Sequence, residues 1–217
     1  MFLGLAKKRT MLLPTWKGVL MVLVLLFGIV WLLLANVYPF LAIDNRLPKA
    51  DVVIVEGWSN DKGVEAAVEE LNAGRCEFIC TIGVALGRGA PLSEYKDFAS
   101  LAAATVHKAG VPSEKIFVAP GGDQLRDRTY VSFVKGKAAL RERAIKTINI
   151  VSEGPHARRS YMVASKVFGE DFDIGMVIID PVDYDHKRWY TASAGVKAVL
   201  MEAMACAFEW IGNGGRE

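Results

Sequence analysis

Residues that bind metals or carry redox chemistry are scarce in this 217-residue chain, which has three cysteines and three histidines. Cys76 and Cys80 fall in one predicted strand, too far apart along it to form a disulfide with each other. Cys206 falls in a predicted helix, and no Cys-x-x-Cys pair or histidine cluster accompanies any of the three. The sequence therefore predicts three small buried thiols and excludes a cysteine-based metal site.

The common motifs of nucleotide-binding and hydrolytic enzymes are also missing. The first predicted strand ends in Glu56-Gly57-Trp58, which has one glycine rather than Gly-x-Gly-x-x-Gly, so a dinucleotide site of the usual type is not expected. Neither Gly-x-x-x-x-Gly-Lys-Ser/Thr nor Gly-x-Ser-x-Gly occurs. Asp183, Asp185 and His186 share one loop, but their spacing predicts a solvated turn rather than a set of metal ligands. We therefore predict neither a cofactor nor a metal.

Acidic residues are absent from the first 43 positions, which contain four basic ones: Lys7, Lys8, Arg9 and Lys17. The whole chain has a formal net charge of +2, with 26 basic and 24 acidic residues. Outside those 43 positions, 22 basic residues remain against the 24 acidic ones, so the rest of the chain carries about −2. That balance gives no basic patch of the kind that nucleic-acid-binding domains need.

A run without any charged residue covers positions 18–43, and positions 18–35 are almost wholly apolar. A helix needs about 20 such residues to cross the hydrocarbon core of a bilayer. A cleaved signal peptide has a shorter apolar region, and its only candidate junction here, Leu33-Leu34-Ala35, is a weak cleavage site. The four preceding positive charges favour a cytoplasmic N-terminus. The predicted order is a cytoplasmic basic segment (1–17), a transmembrane helix (18–38), a linker (39–50) and an extracytoplasmic domain (51–217).

The exported part alternates between strand and helix patterns. Five apolar, β-branched runs predict strands at residues 51–56, 76–82, 115–119, 147–151 and 173–179. Helices of ordinary length separate them, including one that starts at Ser93-Glu94 and one from about Thr129 to Ala144. This alternation predicts an α/β, Rossmann-like three-layer fold with a mostly parallel sheet of about five strands, preceded by one transmembrane helix.

The last predicted helix has an apolar stripe at helical spacing, formed by Val196, Val199, Leu200, Ala203, Ala207 and Ile211. We expect this stripe to cover the sheet, with membrane-surface contact or dimerisation as the alternatives.

Polar residues follow three of the predicted strands. Because the carboxyl ends of parallel strands meet at one edge of a sheet, these residues are expected to lie close together. His156 is predicted to be a catalytic acid or base, with Glu56 as its partner. The predicted ligand-binding residues are Gly57, Trp58, Gly83, Asp127, Arg128, Thr129, Ser152, Arg158 and Arg159. A carboxylate, an imidazole and several guanidinium groups suit acid–base chemistry on an anionic ligand and suit anion binding equally well.

The chain resembles the ElyC/SanA/YdcF family from about residue 51 to residue 210. The resemblance is carried by Val-Ile-Val-Glu-Gly57, Ser93-Glu94, Gly110-Val-Pro112, Thr129, the block formed by Ser152, His156 and Arg159, Gly195-x-Lys197 and Glu202. It departs from the family at Glu56 and Trp58, where glycine is more usual, and at Arg128-Thr-Tyr-Val-Ser132, where the family has Asn-Thr-x-Glu-Asn.

The resemblance implies a Rossmann-like fold, a bacterial cytoplasmic membrane and a role in building or maintaining the envelope, without an established reaction. The leading hypothesis is a membrane-anchored domain that binds, and in one version processes, a phosphorylated or anionic envelope intermediate, including a polyprenyl-linked one. The alternatives are a non-catalytic assembly or regulatory module, or a binder of a nucleotide or S-adenosylmethionine. Whether the chain is an enzyme stays open at this point.

Overall fold

A computed structural model describes residues 13–87, 92–123, 126–141 and 143–211. The chain divides into two compact units, Met1–Asn36 and Val37–Glu217. Most of the predicted basic segment, residues 1–12, lies outside the described part. Residues 88–91, in the glycine-rich stretch between Gly83 and Pro91, lie outside it as well.

The first described element, α1 (Trp16–Leu41), is a 26-residue helix. By length and composition it is long and apolar enough to cross a membrane, and none of its most apolar 18-residue window is buried. Lys17 is its only charged residue. The predicted span of residues 18–38 falls inside this helix.

The sheet has five strands, all parallel, in the order β3-β2-β1-β4-β5. They are β1 (Val52–Glu56), β2 (Phe78–Gly83), β3 (Ile116–Pro120), β4 (Thr147–Glu153) and β5 (Asp173–Ile179). The predicted α/β fold class is therefore confirmed. The order of the strands was not predicted.

Helices cover both faces of the sheet. One face is covered by α2 (Asp61–Asn72) and α3 (Phe98–Lys108), and the other by α4 (Arg128–Leu140) and α5 (Ala157–Phe168). Side chains of β1 alternate between two apolar clusters, so Val52 and Ile54 pack towards α4 and α5, while Val53 and Val55 pack towards α2. A terminal helix, α6 (Ser193–Ile211), completes the chain as described.

The start of α3 was predicted wrongly at Ser93-Glu94. The helix begins at Phe98, because Asp97 caps it by accepting a hydrogen bond from the Ser100 backbone N–H at 2.7 Å. At this point the chain is held against the segment that follows β2, because the Phe98 N–H donates to the Val84 carbonyl at 3.0 Å.

The connector predicted at residues 39–50 is attached to the α/β unit along its length. It begins as the last turn of α1, where Tyr38 and Leu41 are buried in a cluster with residues of α6. Farther along, Asn45 accepts a hydrogen bond from the Met176 N–H, and Leu47 exchanges two hydrogen bonds with the Asn149 side chain. The α/β unit therefore starts inside α1, before the predicted linker.

The inner face of α6 differs from the predicted stripe. Leu200, Ala207 and Ile211 are exposed, and the helix packs on α5 and on the short 3-10 segments Gly154–His156 and His186–Thr191 rather than spreading over the sheet. The residues that face inwards are Gly195, Val199, Glu202, Cys206 and Glu209. Val196, Val199 and Ala203 of the predicted stripe do pack inwards, but two glutamates share this face and pair with cations of α5, which an apolar pattern cannot reveal.

Candidate functional site

The strand order reverses between β1 and β4. From β1 the chain moves outwards through β2 to β3, then returns to place β4 on the other side of β1. Ligands of open parallel sheets bind outside the strand ends at such a reversal. A cavity of about 890 Å³ lies here, and residues that end β1 and follow β4 form part of its lining, among them Glu56 and His156.

Glu56 is fully buried at the end of β1. Strand alternation places it on the same face as Val52 and Ile54, so its carboxylate points towards the first turn of α5. Ser160 donates to Glu56 Oε1 at 2.6 Å, and Ser152 donates to Oε2 at 2.8 Å. Both carboxylate oxygens are therefore held by hydroxyl groups of the protein.

His156 lies between two carboxylates, with its side chain 15% exposed. Its Nδ1 is 2.9 Å from Glu202 Oε1, and its Nε2 is 3.5 Å from Glu56 Oε1. Nε2 is itself buried and, apart from this ion-pair contact with Glu56, has no hydrogen-bond partner among the described residues. Trp58 packs edge-on to the imidazole, with 6.2 Å between ring centroids.

Arg159 connects three helices beside this histidine. Its Nε donates to Glu202 Oε2 at 2.7 Å and its Nη2 to Oε1 at 3.0 Å, a two-pronged contact between α5 and α6. Its Nη1 donates to the Thr129 hydroxyl in the first turn of α4 at 3.2 Å. All three donor nitrogens of the guanidinium group are thus used within the protein.

The network favours a charged imidazole. Burial acts to lower the pKa of His156, but the Glu56 carboxylate and the hydrogen bond to Glu202 outweigh it and raise that pKa to about 9. Burial likewise acts to raise the pKa of Glu202, yet the hydrogen bonds from His156 and Arg159 lower it to about 2. At neutral pH the charged imidazole and the Arg159 guanidinium group therefore share the ionised carboxylate of Glu202.

The N-terminus of α4 opens on the same cavity. Residues 127–130 line it, and Asp127, in the left-handed region with φ at 53°, makes no side-chain cap to the helix. The first N–H groups of a helix have no intrahelical acceptor, and the positive end of the helix dipole lies there. Arg128 is exposed beside them, 5.8 Å from the Phe98 ring centroid. This end of the cavity suits an anion.

The lining near the end of β4 has the opposite character. Glu153 accepts a hydrogen bond from the Asn60 amide at 3.0 Å, and burial together with the nearby Asp183 raises the pKa of Glu153. Asp183 and Tyr184 line the cavity beside it. Carboxylates and a phenol can bind hydroxyl groups of a ligand, so the lining offers acceptors for hydroxyl groups as well as cations.

The structure brings seven of the predicted site residues to the cavity: Glu56, Trp58, Asp127, Arg128, Thr129, His156 and Arg159. Four others lie elsewhere. Ser152 is fully buried behind Glu56, and Arg158 stacks on Phe40, 4.1 Å from its ring centroid, and donates to its carbonyl. Gly57 and Gly83 are packed against the start of α3, where an added Cβ would lie within 2.6 Å of Phe98 atoms, so these glycines serve packing.

Ser160, Glu153 and Tyr184 were not predicted as site residues, and Lys197 and Glu202 were noted only within the family resemblance. One sequence signal could have revealed the contact between α5 and α6. Arg159 and Lys166 are seven residues apart, as are Glu202 and Glu209, and each cation pairs with one of these glutamates. Seven residues are two helical turns, so the two pairs form successive rungs between the helices.

Comparisons with known proteins add no family to this description, because no protein-family model matches the chain and no curated protein matches it significantly.

Proposed function

We propose that this chain is a single-pass membrane protein whose α/β unit faces away from the cytoplasm and binds a phosphorylated or otherwise anionic envelope intermediate. The observation that carries this proposal is the convergence of three positive groups on one cavity. They are the N-terminus of α4 with its helix dipole, the exposed Arg128 and the His156 imidazolium. Lys197 of α6 adds a fourth positive group to the same lining.

The geometry favours binding over acid–base catalysis. A His156 with a pKa near 9 already holds its proton at neutral pH and does not act as a general base. Both of its nitrogens face protein carboxylates, and both oxygens of Glu56 are held by serines. His156 therefore contributes charge, and Glu56 keeps that charge in place.

The acidic residues of the cavity lining also indicate what kind of ligand fits. Glu153 and Asp183 of the lining are unsuited to a second phosphate but suit hydroxyl groups. A ligand with one anionic group and a hydroxyl-bearing part matches the cations and these acceptors together. This is the chemistry of a phosphorylated sugar or a similar polyol phosphate.

The test uses the full chain in phosphatidylcholine nanodiscs, titrated calorimetrically with inorganic phosphate and glycerol phosphate. We expect both to bind, glycerol phosphate more tightly. Arg128→Ala should weaken binding by about tenfold or more, because a hydrogen bond to a charged group contributes about 1.5–3 kcal/mol. Arg158→Ala is the matched control, since Arg158 lies outside the cavity and should leave affinity unchanged.

Two results would overturn the proposal. One is the absence of anion binding, and the other is an equal effect of Arg128→Ala and Arg158→Ala. The orientation of the chain in the membrane is tested separately with a reporter fused after the last residue. Activity of a reporter that works only outside the cytoplasm is expected, and activity of one that works only inside would contradict the orientation.

A further inference from the structure

Thr129 is the residue at which the cavity meets the first turn of α4. It lines the cavity, and 7% of its surface is exposed. Its hydroxyl oxygen accepts a hydrogen bond from Arg159 Nη1 at 3.2 Å. A hydroxyl group has one proton to donate as well as the lone pairs with which it accepts. Because the Arg159 N–H lies against one lone pair, the hydroxyl proton of Thr129 points away from the guanidinium group and is left for another acceptor.

Arg159, which sets this orientation, is held in place by α6. Its Nε and Nη2 donate to the two carboxylate oxygens of Glu202 at 2.7 and 3.0 Å. A two-pronged contact of this kind fixes the plane of the guanidinium group as well as its position. The two side chains are 21% and 18% exposed, so most of this contact is shielded from water. Arg159 therefore cannot turn towards a ligand without breaking its contact with α6, but it can orient Thr129.

We propose that the Thr129 hydroxyl donates a hydrogen bond directly to the anionic group of the ligand, and that Arg159 is a positioning residue that acts through Thr129. The inference rests on the proposed function, because it assigns the contacts of the anion that the cavity binds. The sequence predicted Thr129 and Arg159 alike as ligand-binding residues. Their roles differ because Thr129 still has a proton to donate, whereas the three donor nitrogens of Arg159 are used within the protein.

The surroundings of this hydroxyl favour an anion over other ligands. A cationic donor on its oxygen polarises the hydroxyl group and makes its proton a stronger donor. The hydroxyl also lies at the positive end of the α4 dipole, next to the exposed Arg128. Ionised phosphate oxygens only accept hydrogen bonds, so they match this arrangement, whereas a cation is repelled by it. The contacts form one chain in which Glu202 holds Arg159, Arg159 orients Thr129 and Thr129 binds the anion.

The first test asks whether the hydroxyl itself is needed. The full chain in phosphatidylcholine nanodiscs is titrated calorimetrically with glycerol phosphate. Thr129→Val keeps the shape of the side chain but removes the hydroxyl, and should weaken binding by about tenfold or more, the effect of losing one hydrogen bond to a charged group. Thr129→Ser keeps the hydroxyl and should bind as tightly as the wild type. Thr105→Val is the matched control, because the Thr105 hydroxyl bonds to the Leu101 carbonyl of its own helix, outside the cavity.

A double-mutant cycle tests the role of Arg159. Arg159→Lys keeps the positive charge but cannot hold both oxygens of Glu202 and the Thr129 hydroxyl at once. It should weaken glycerol phosphate binding when Thr129 is present, and should cause no further loss in the Thr129→Val background. A residue that only stabilised the fold, or that contacted the anion by itself, would lower the affinity equally in both backgrounds.

The outcomes separate this inference from the proposed function. Wild-type binding that Thr129→Val leaves unchanged would overturn the hydroxyl contact and leave the anion site at Arg128 and His156 standing. An equal loss from Thr129→Ser and Thr129→Val would also overturn it, since the packing of the side chain rather than its hydroxyl would then matter. No loss, or an equal loss, from Arg159→Lys in the two backgrounds would overturn the positioning role. A wild-type chain that binds no glycerol phosphate would overturn both proposals.

Discussion

Two helices of this protein expose large apolar side chains, but they do so in different ways. In α1 the exposed residues occupy every side of the helix from Val19 to Leu34, and no acidic residue interrupts them. In α6 all of them except Trp210 occupy one side, and the opposite side carries Glu202 and Glu209 in ion pairs with α5.

The difference shows how apolar exposure is to be interpreted. A helix that is apolar all round satisfies its backbone internally and suits a lipid environment. A helix that is anchored by charges and apolar outside is held by the α/β unit itself, so its exposed side is available for a ligand. The same residue types thus make α1 long and apolar enough to cross a membrane, whereas in α6 they form the exposed side of a helix held by ion pairs.

The strongest test of this contrast lies within α1. Leu41 is fully buried in the α/β unit, whereas Leu33 is 65% exposed. Leu41→Ala should reduce the free energy of unfolding of the α/β unit by about 2–5 kcal/mol, the usual cost of emptying a buried leucine site. Leu33→Ala should leave it unchanged. Urea denaturation of the full chain in nanodiscs measures the free energy of unfolding of both variants. Equal effects would contradict the division of the chain into two units at Val37.

A second test compares the two sides of α6. Glu202→Gln removes the charge that pairs with Arg159 and His156, and should lower the free energy of unfolding by about 1.5–3 kcal/mol, the range for hydrogen bonds to charged groups. Met204→Gln, on the exposed side of α6, should change the free energy of unfolding by less than about 0.5 kcal/mol. A larger loss from Met204→Gln would mean that this side of α6 is part of the core.

A third test measures a pH dependence of stability. Because folding raises the pKa of His156 from about 6.5 to about 9, the stabilisation it provides is complete below pH 6.5 and is lost as the pH rises through 9. Wild-type stability should therefore fall across that window, and His156→Gln should remove that part of the decline. Denaturation at a series of pH values measures this. A variant with the wild-type slope would show that the imidazole is not charged in the folded protein.

Much of the fold could be predicted because its signals are local. Five buried β-branched runs and the helices between them required the α/β class, and an apolar helix at residues 18–38 was evident from composition and falls within α1. The start of α3 could not be read correctly, because Ser93-Glu94 and Asp97 are both acceptable helix starts and the contact with Val84 decides between them.

The part of the candidate site that lies at the strand ends could be predicted from the sequence. Glu56 and His156 were expected together because parallel strands carry their loops to one edge. Arg158 and Arg159 are adjacent in sequence and equally basic, yet one stacks on Phe40 and the other reaches Glu202 and Thr129. Only the packing of α6 and of the last turn of α1 separates them.

By itself, the sequence determined the anchor-like helix, the α/β class and the strand ends at which polar residues collect, because these depend on periodicity and length. The tertiary structure decided the strand order, and with it the position of the reversal between β1 and β4. It also decided that His156 lies between Glu56 and Glu202, that the glutamates of α6 point inwards and that the apolar side of α6 points outwards. Those outcomes depend on contacts between residues that are far apart in the sequence. The ion pair between Arg159 and Glu202, which are 43 residues apart, turned the charged side of α6 inwards although the apolar pattern predicted otherwise.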